Sequence, residues 1–216
     1  MSMDFSLIEP YLPLFRGGVV VTLEITGASL VLAFALGALI AVLKVLHVRA
    51  LSLILGLYTS LFRGIPLIVL LFVAYFATPQ LTGYKISMFA ASVLTLGLNG
   101  SATVSETLRG GIEGVDRGQY DAARAIGLTY PAMMVRVIIP QALRSVAPAL
   151  VNEVITLLKG TSLVAVIGLA DVMRTAQGIQ AITYRAFEPF AVAAVIYYVI
   201  VMALAALGRA LERRLR

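Results

Sequence analysis

Five stretches of the chain are apolar over about twenty residues, and this feature leaves few folds open. They cover residues 18–43, 51–76, 86–108, 146–169 and 190–207. A bilayer core of about 30 Å is crossed by roughly 20 apolar residues in a helix. Of the 216 residues, 60% are hydrophobic and 13% are charged, whereas a soluble domain has roughly 45–50% apolar and 25% charged residues. We therefore expect an all-α, polytopic membrane protein with five transmembrane helices in a single domain, residues 1–216.

The basic residues between these stretches are distributed unequally, with eleven on one side of the predicted membrane and four on the other. Because Lys and Arg are enriched in cytoplasmic loops, the larger group is expected in the cytoplasm. The N-terminus is then outside and the C-terminus inside, as five spans require. The larger group consists of Lys44, Arg49, Arg109, Arg117, Arg124, Arg136, Arg144, Arg209, Arg213, Arg214 and Arg216, and the smaller group of Arg16, Lys85, Arg174 and Arg185.

Several classes of function are disfavoured by what the sequence lacks. The chain contains no cysteine, which excludes thiolate chemistry, and its one histidine, His47, lies in a short loop, as a solvated side chain would. It has no Gly-x-x-x-x-Gly-Lys-Ser/Thr phosphate loop and no pair of carboxylates near a membrane face that would indicate an enzyme. The net charge of +6 comes from loop residues and does not form a nucleic-acid stripe. We expect no catalytic residue and no metal site.

A long polar interruption at residues 109–144 separates the third and fourth spans. Residues 119–126 can form a short helix that Gly127 ends, because glycine readily adopts the left-handed conformation at a helix C-terminus. Thr129 can cap a second helix, which Pro140 is expected to stop or kink. We call residues 109–144 the coupling loop.

The first helix of the coupling loop is rich in small side chains. Ala122, Ala123 and Ala125 are expected on an accessible surface, where a partner could approach closely. The alternative is an interfacial loop that merely lies on the membrane. The succession of two short helices separated by a glycine turn favours docking of a partner over this alternative.

The coupling loop resembles the EAA motif of ABC-type import permeases. Asp121-Ala122-Ala123 stands for Glu-Ala-Ala, and Gly127 follows four residues after the last alanine. Residues 137–140 match the spacing of the terminal Ile-x-Leu-Pro, with conservative departures at Val137 and Ile139. The resemblance extends over about residues 16–207. Residues 62–67 (Phe-Arg-Gly-Ile-Pro-Leu) look like the Phe-Arg-Gly-Thr-Pro-Leu element of polar amino-acid permeases. Residues 158–163 (Leu-Lys-Gly-Thr-Ser-Leu) resemble their Leu-Lys-Asp-Thr-Ser-Leu element, with Gly160 in place of the aspartate.

This resemblance implies a type I ABC importer permease of a bacterial inner membrane. Two such subunits, identical or homologous, form a pathway, and an extracytoplasmic solute-binding protein delivers the solute. A dimer of cytoplasmic ATP-binding subunits binds ATP and Mg and docks on the loops, so the permease itself carries no cofactor. The residues implied in docking are Gln119, Asp121, Ala122, Ala123, Arg124, Gly127 and Thr129.

Polar side chains inside the spans are candidates for a solute pathway, since charges there cost about 2.5–3.5 kcal/mol each and usually face protein or water. Lys159 could attract a solute carboxylate or pair with a buried acid. Arg63 beside Pro66 indicates either a helix break that lines a cavity or a structural kink, and Asn99 fits interhelical hydrogen bonding or solute contact. The candidates are Arg63, Pro66, Asn99, Glu153, Lys159, Thr161 and Ser162.

The absence of an acid at Gly160 suggests a hypothesis about the solute. Without a carboxylate beside Lys159, the local field is more positive, which favours an acidic or neutral solute over a strongly basic one. The predicted function is import of a polar amino acid or related small solute, driven by a separate ATPase. The alternative is a self-sufficient channel or ion-driven transporter, and the coupling loop argues against it.

Overall fold

The computed structural model of the chain describes residues 4–46 and 48–215, and within these ranges it contains helices and no strand. The predictions for His47 and Arg216 fall outside the described residues. Ten α-helices follow one another: α1 (Leu12–Val45), α2 (Arg49–Gly64), α3 (Leu67–Phe72), α4 (Thr78–Thr82), α5 (Met88–Glu113), α6 (Arg117–Ala125), α7 (Tyr130–Met133), α8 (Ile139–Gly160), α9 (Val172–Thr183) and α10 (Phe187–Leu215). A 3₁₀-helix, Phe5–Tyr11, leads into α1, and another, Thr161–Ile167, continues α8.

The predicted all-α membrane architecture is confirmed. Among the described residues, four helical runs are long and apolar enough to cross a membrane, and α2 with α3 and α4 makes a fifth if the bent pair counts as one span. The four runs are Phe5–Val45, Met88–Glu113, Tyr130–Ile167 and Phe187–Arg213.

The second span, predicted over residues 51–76, is broken near its middle. Helix α2 ends at Gly64, and the chain restarts as α3 after a bend of 103°. Pro66 occupies the N-cap position of α3 in an extended conformation, ψ 137°. Proline lacks the N–H that would continue α2, and it disfavours helical geometry in the residue before it, so the predicted break at Pro66 is confirmed.

The helix that contains the fourth span begins at Tyr130, well before residue 146, where the span was predicted to start. Helix α7 runs through a π-helical turn, Met134–Ile138, directly into α8. Pro140 does not stop this helix, as one of the two expectations had it, because the proline lies in the first turn of α8, just after the π-helical turn. The π-helical turn changes the backbone hydrogen-bond pattern just before Pro140. Pro140 itself has no N–H to donate to that pattern.

Among the described helices, α1 and α5 share the most extensive contact. Ala33, Gly37 and Ala41, four residues apart on α1, are all buried. A Cβ placed on Gly37 would lie 2.7 Å from Cγ1 of Val104 and 3.0 Å from the Ser101 carbonyl oxygen. Small residues allow such approach of two helix backbones in lipid. The spacing of small residues thus serves packing within this chain.

A buried polar cluster joins three helices near the other end of α1. Asp171 is fully buried, and its carboxylate accepts the Arg174 N–H at 2.7 Å, which caps α9. The Tyr197 hydroxyl on α10 donates to the same carboxylate at 3.0 Å. Thr22 on α1 accepts the Val172 N–H at 3.3 Å. Helices α1, α9 and α10 are therefore tied to one turn by hydrogen bonds.

Gly37→Ala is expected to destabilise the protein, because the new methyl group overlaps Val104 and the Ser101 carbonyl. Overpacking of this kind costs about 1–3 kcal/mol. The matched control is Gly27→Ala in the same helix, where no atom lies within 4 Å of the added Cβ. Thermal unfolding of the purified protein in detergent should show a lower midpoint for Gly37→Ala alone. Equal midpoints would contradict the close α1–α5 contact.

Candidate coupling surface and solute pathway

Helix α6 forms the centre of the coupling loop and begins two residues earlier than predicted. The Asp116 carboxylate accepts the backbone N–H of Gly118 at 2.8 Å, so the helix starts at Arg117. An acidic cap satisfies an N–H group that has no partner within the helix.

The end of α6 is a Schellman turn built on Gly127. This glycine has φ +78°, and its N–H donates to the Arg124 carbonyl, while the Leu128 N–H donates to the Ala123 carbonyl at 3.1 Å. This 6→1 and 5→2 pairing requires a left-handed residue at the turn. The predicted stop at Gly127 is confirmed. Thr129 lies at the N-cap position of α7, but its side chain makes no capping hydrogen bond.

The two faces of α6 differ sharply. Ala123 is only 3% exposed and packs in a cluster with Met133 and Ile138. The expectation of an accessible Ala123 is therefore wrong, because this methyl group holds α6 against the α7–α8 run. The rest of the helix is exposed, and Asp121, Ala122 and Arg124, which are implied in docking, lie there. Gln119 is also exposed but lies one turn before Ala123 on the same side of α6.

A recess of about 630 Å³ lies beside the exposed face of α6. It carries charges of both signs, and its lining consists of Glu113, Val115, Arg117, Tyr120, Asp121 and Arg124. The Asp121–Arg124 pair is 3.7 Å apart and exposed, so it contributes little to stability and leaves both charges accessible. Such a surface suits a partner with complementary charges.

Two hydrogen bonds connect α6 to the long helices. The Tyr120 hydroxyl donates to the Ile112 carbonyl of α5 at 2.9 Å, and partial burial raises the pKa of this hydroxyl above its ordinary value. The Gln141 amide of α8 donates to the Gln119 side-chain oxygen at 3.2 Å. Neither contact was predicted from the sequence, since neither has a local signature.

A network of four charged residues lies at the same end of the molecule, and the sequence analysis missed it. Lys44 of α1 pairs with Glu106 of α5, and Arg109 bridges Glu106 and Glu113 at 2.6 Å each. Lys44 also donates to the Thr59 hydroxyl of α2 at 2.8 Å. The Lys44 side chain is only 8% exposed. The i, i+3 and i, i+4 spacing of the three α5 residues was the available signal.

Asn99 satisfies the backbone at the break in the second span. In a continuous helix the Phe62 carbonyl would accept the N–H of residue 66, but Pro66 has none. The Asn99 amide donates to this carbonyl at 2.6 Å. One turn earlier, the Tyr58 hydroxyl donates to the Leu98 carbonyl at 3.0 Å. These contacts support the interhelical hydrogen bonding that we predicted as one role of Asn99.

The remaining pathway candidates are only partly brought together. Arg63 is exposed at the end of α2, and its field acts on the half-buried carboxyl of Glu153 on α8. Lys159 is exposed and forms no ion pair with Glu153 or any other described residue. Thr161 is fully buried and donates to the Leu158 carbonyl at 2.7 Å, so it belongs to the core. Ser162 is half-buried and donates to the Lys159 carbonyl.

No group of three or more His, Asp or Glu side chains that could hold a metal occurs in the described part of the chain. The polar groups near the spans are instead suited to hydrogen bonding and ion pairing.

Known proteins resemble this chain along its whole length. The family described as binding-protein-dependent transport system inner membrane component matches residues 33–216. The arginine transport system permease protein ArtQ of Bacillus subtilis (strain 168) is 44% identical over 216 residues, which is 100% of this chain and 99% of that protein. A Rickettsia bellii (strain RML369-C) protein that carries the name glutamine transport system permease protein GlnP is 39% identical over 92% of this chain and 91% of its own.

Solved structures give the same result. A crystal structure of an amino acid ABC transporter with histidines contains a chain that is 41% identical, with a TM-score of 0.93 over 99% of this chain and 100% of that one. The inward-facing MetNI methionine ABC transporter contains a chain with a TM-score of 0.82 and 24% identity, over 96% of this chain and 99% of that one. Because the identity to the MetNI chain is only 24%, this likeness shows the fold alone.

Asn99→Leu is expected to leave the Phe62 carbonyl without a donor, at a cost of about 1–3 kcal/mol. Hydrogen exchange of a peptide covering residues 58–66 should become faster. Gln177→Leu on α9 is the matched control, because its side-chain amide makes no hydrogen bond among the described residues. Unchanged exchange in Asn99→Leu, or the same acceleration in both variants, would show that the tether does not hold the end of α2.

Proposed function

The chain belongs to the family of binding-protein-dependent transport system inner membrane components, and from this premise we propose that it imports a polar amino acid or a related small solute. It is a permease subunit of an ATP-binding-cassette importer, and ATP hydrolysis resides in a separate subunit. Of the features described above, the one that carries the proposal is α6, a short helix anchored on one face and exposed on the other. The relatives named for arginine and glutamine transport support the solute class. The alternative, a channel or ion-driven transporter, is not favoured.

Membership of this family implies three partners, an ATPase, a second permease and a solute-binding protein. We propose that the ATPase is a dimer that binds ATP and Mg, and that it receives the exposed face of α6 together with the recess beside it. Arg117 and Arg124 at this recess, with Asp121 and Glu113, supply charged contacts that would fix its orientation. The coupling loop, residues 109–144, would then be the segment through which hydrolysis acts on one permease domain, residues 1–216.

The protein lies in the inner membrane, and we propose that its N-terminus is outside and its C-terminus is cytoplasmic. Contacts support this assignment. The Asp4 N–H donates to Glu188 at the start of α10, and Arg185 pairs with Glu188, which places these groups at one end. Lys44 and the coupling loop lie at the other end, where basic residues are in excess.

We propose that a second permease covers one stripe of α8. Asn152, Thr156 and Lys159 are all exposed and follow one another at helical spacing of four and three residues. A lysine facing lipid at this depth would cost about 2.5–3.5 kcal/mol. A protein surface or an aqueous pathway on this face would remove that cost.

The charges of this region define the proposed solute site. Arg63 and Lys159 can attract a carboxylate, and Glu153 can attract an ammonium group, so an amino acid finds both partners. At Gly160, an added Cβ would lie 3.2 Å from Leu96 Cδ2 and 3.3 Å from Leu67 Cδ2. Two leucine side chains thus approach the position where the related permeases carry an aspartate. The missing carboxylate beside Lys159 is the basis of the hypothesis of a neutral or acidic solute, whereas the relative ArtQ is named for arginine transport.

Gly160→Asp is expected to shift uptake toward arginine or lysine, because it adds a carboxylate beside Lys159. Gly160→Asn is the matched control, with nearly the same volume and no charge. Competition of labelled neutral, acidic and basic amino acids for uptake by the reconstituted importer measures the shift. A wild-type importer that prefers arginine or lysine, or an identical profile for both variants, would contradict the hypothesis.

Gly127→Val is expected to uncouple ATP hydrolysis from uptake while leaving membrane insertion intact. A β-branched residue at φ +78° strains the turn by about 1–2 kcal/mol and moves α6 relative to the ATPase. The control is Gly83→Val, since Gly83 has φ +74° and equally open surroundings but follows α4, far from the coupling loop. Solute transported per ATP should fall in Gly127→Val only. Normal coupling in this variant would count against the docking role of α6.

A further inference from the structure

We infer that Lys44 and Glu106 are positioning residues that transmit the movement of α6 to α2. The inference rests on the proposed docking of the ATPase at α6. Neither the family resemblance nor the coupling loop gives Lys44 or Glu106 a role.

Helix α2 is attached mainly by polar contacts. Thr59 is the one residue of α2 that is buried. Large apolar side chains of the same helix are open, with Leu53 77% and Leu57 68% exposed. In lipid, apolar side chains gain little from contact with another helix, so hydrogen bonds decide the position of such a helix. The Lys44–Thr59 bond, together with the Tyr58 and Asn99 contacts, therefore holds α2 in place.

The Lys44–Thr59 bond is one end of a continuous set of contacts that begins at α6. At the other end, the Tyr120 hydroxyl of α6 holds the Ile112 carbonyl of α5. Six residues earlier in α5, Glu106 pairs with Lys44 of α1, which bonds to Thr59 of α2.

Arg109 stiffens the part of α5 that lies between these contacts. Its guanidinium bonds to Glu106 and to Glu113, which lie three residues before it and four residues after it. These paired side chains support the last two turns of the helix on the side of the coupling loop.

The Lys44–Glu106 pair is suited to transmit movement because it is poorly solvated. The Lys44 and Glu106 side chains are 8% and 19% exposed. Separating a charged pair in such surroundings leaves each charge without water to replace its partner, so the two helices move together rather than apart. A bond between exposed side chains would break and re-form at little cost.

The far end of α2 gives this connection a functional consequence. Helix α2 ends at Gly64, directly after Arg63, whose field acts on Glu153 of α8. A displacement of α2 therefore changes the distance between charges that belong to the proposed solute site. Movement that starts at the ATPase surface thus reaches Arg63, a candidate pathway residue, through α2.

The test uses the importer reconstituted in vesicles with its ATPase and binding protein, and it measures solute transported per ATP hydrolysed. Thr59→Val should lower this ratio about threefold, the effect of one interhelical hydrogen bond. Lys44→Met should lower it about tenfold or more, and Lys44→Arg should restore most of it, because the charged bond is kept. Thr95→Val is the matched control, since the buried Thr95 hydroxyl has no hydrogen-bond partner in the described part of the chain.

A second readout separates transmission from a loss of stability. The chain contains no cysteine, so spin labels on Ser60→Cys and Met202→Cys, both exposed, report the distance between α2 and α10. This distance should change with nucleotide in the wild-type sequence and remain constant in Lys44→Met. Thr59→Val and Tyr120→Phe should be non-additive, because each interrupts the same connection.

The outcomes separate a failure of the proposed function from a failure of this inference. If the wild-type importer shows no ATP-dependent uptake, the proposed function fails and the inference fails with it. If wild-type uptake is normal, and Lys44→Met and Thr59→Val keep the wild-type ratio and the nucleotide-dependent distance change, only the inference is overturned.

Discussion

Inside hydrocarbon, a backbone carbonyl without a hydrogen-bond donor costs several kcal/mol, and the arrangement of this protein follows from how that cost is avoided. Pro66 removes one donor from the second span, and the chain bends by 103° at that point. The carbonyl left over, at Phe62, accepts the Asn99 amide of α5. The break is thereby fixed against the helix with which α1 packs most closely. A polar residue in the third span is explained by a proline in the second.

The helices are joined in two physically different ways. Helices α1 and α5 approach through small residues such as Gly37, where even a methyl group would overlap the neighbouring helix. Such contact leaves no freedom to slide. Helix α2 is joined through hydrogen bonds from Tyr58, Thr59 and Asn99, while its apolar side chains are largely exposed. These few directed bonds are the points at which a movement of the α1–α5 pair reaches α2.

Features with a local physical cause were predictable from the sequence, and features that depend on distant partners were not. The apolar stretches, the break at Pro66 and the turn at Gly127 follow from chain length in a bilayer and from the backbone limits of two residue types. The continuity of α7 with α8 was missed, because a π-helical turn has no clear sequence signal and depends on packing. The burial of Ala123 was missed for a related reason, since Met133 and Ile138 decide which face of α6 is covered.

The charged network was the largest omission, and its cause is the range of the contact. Lys44 and Glu106 are 62 residues apart in the chain. A lysine at the end of an apolar stretch is explained equally well by topology, so the sequence offers no reason to seek a partner for it. The same ambiguity applies to Arg63, Glu153 and Lys159. Their charges were evident from the sequence, but only the fold places Arg63 near Glu153 and leaves Lys159 exposed.

The burial of Ala123 also bears on how an ATPase could act on the pathway. A flexible loop would absorb a push from a partner, whereas α6 is packed against the helical run Tyr130–Ile167 and must move it. That run carries Glu153, while Arg63 belongs to α2, which is reached through the Lys44–Glu106 pair. One displacement of α6 would therefore act on both elements that bear the opposite charges of the proposed solute site. The run with Glu153 is attached to α6 by packing, whereas α2 with Arg63 is attached by hydrogen bonds. The two elements would therefore move by different amounts, and the distance between these two charges would change.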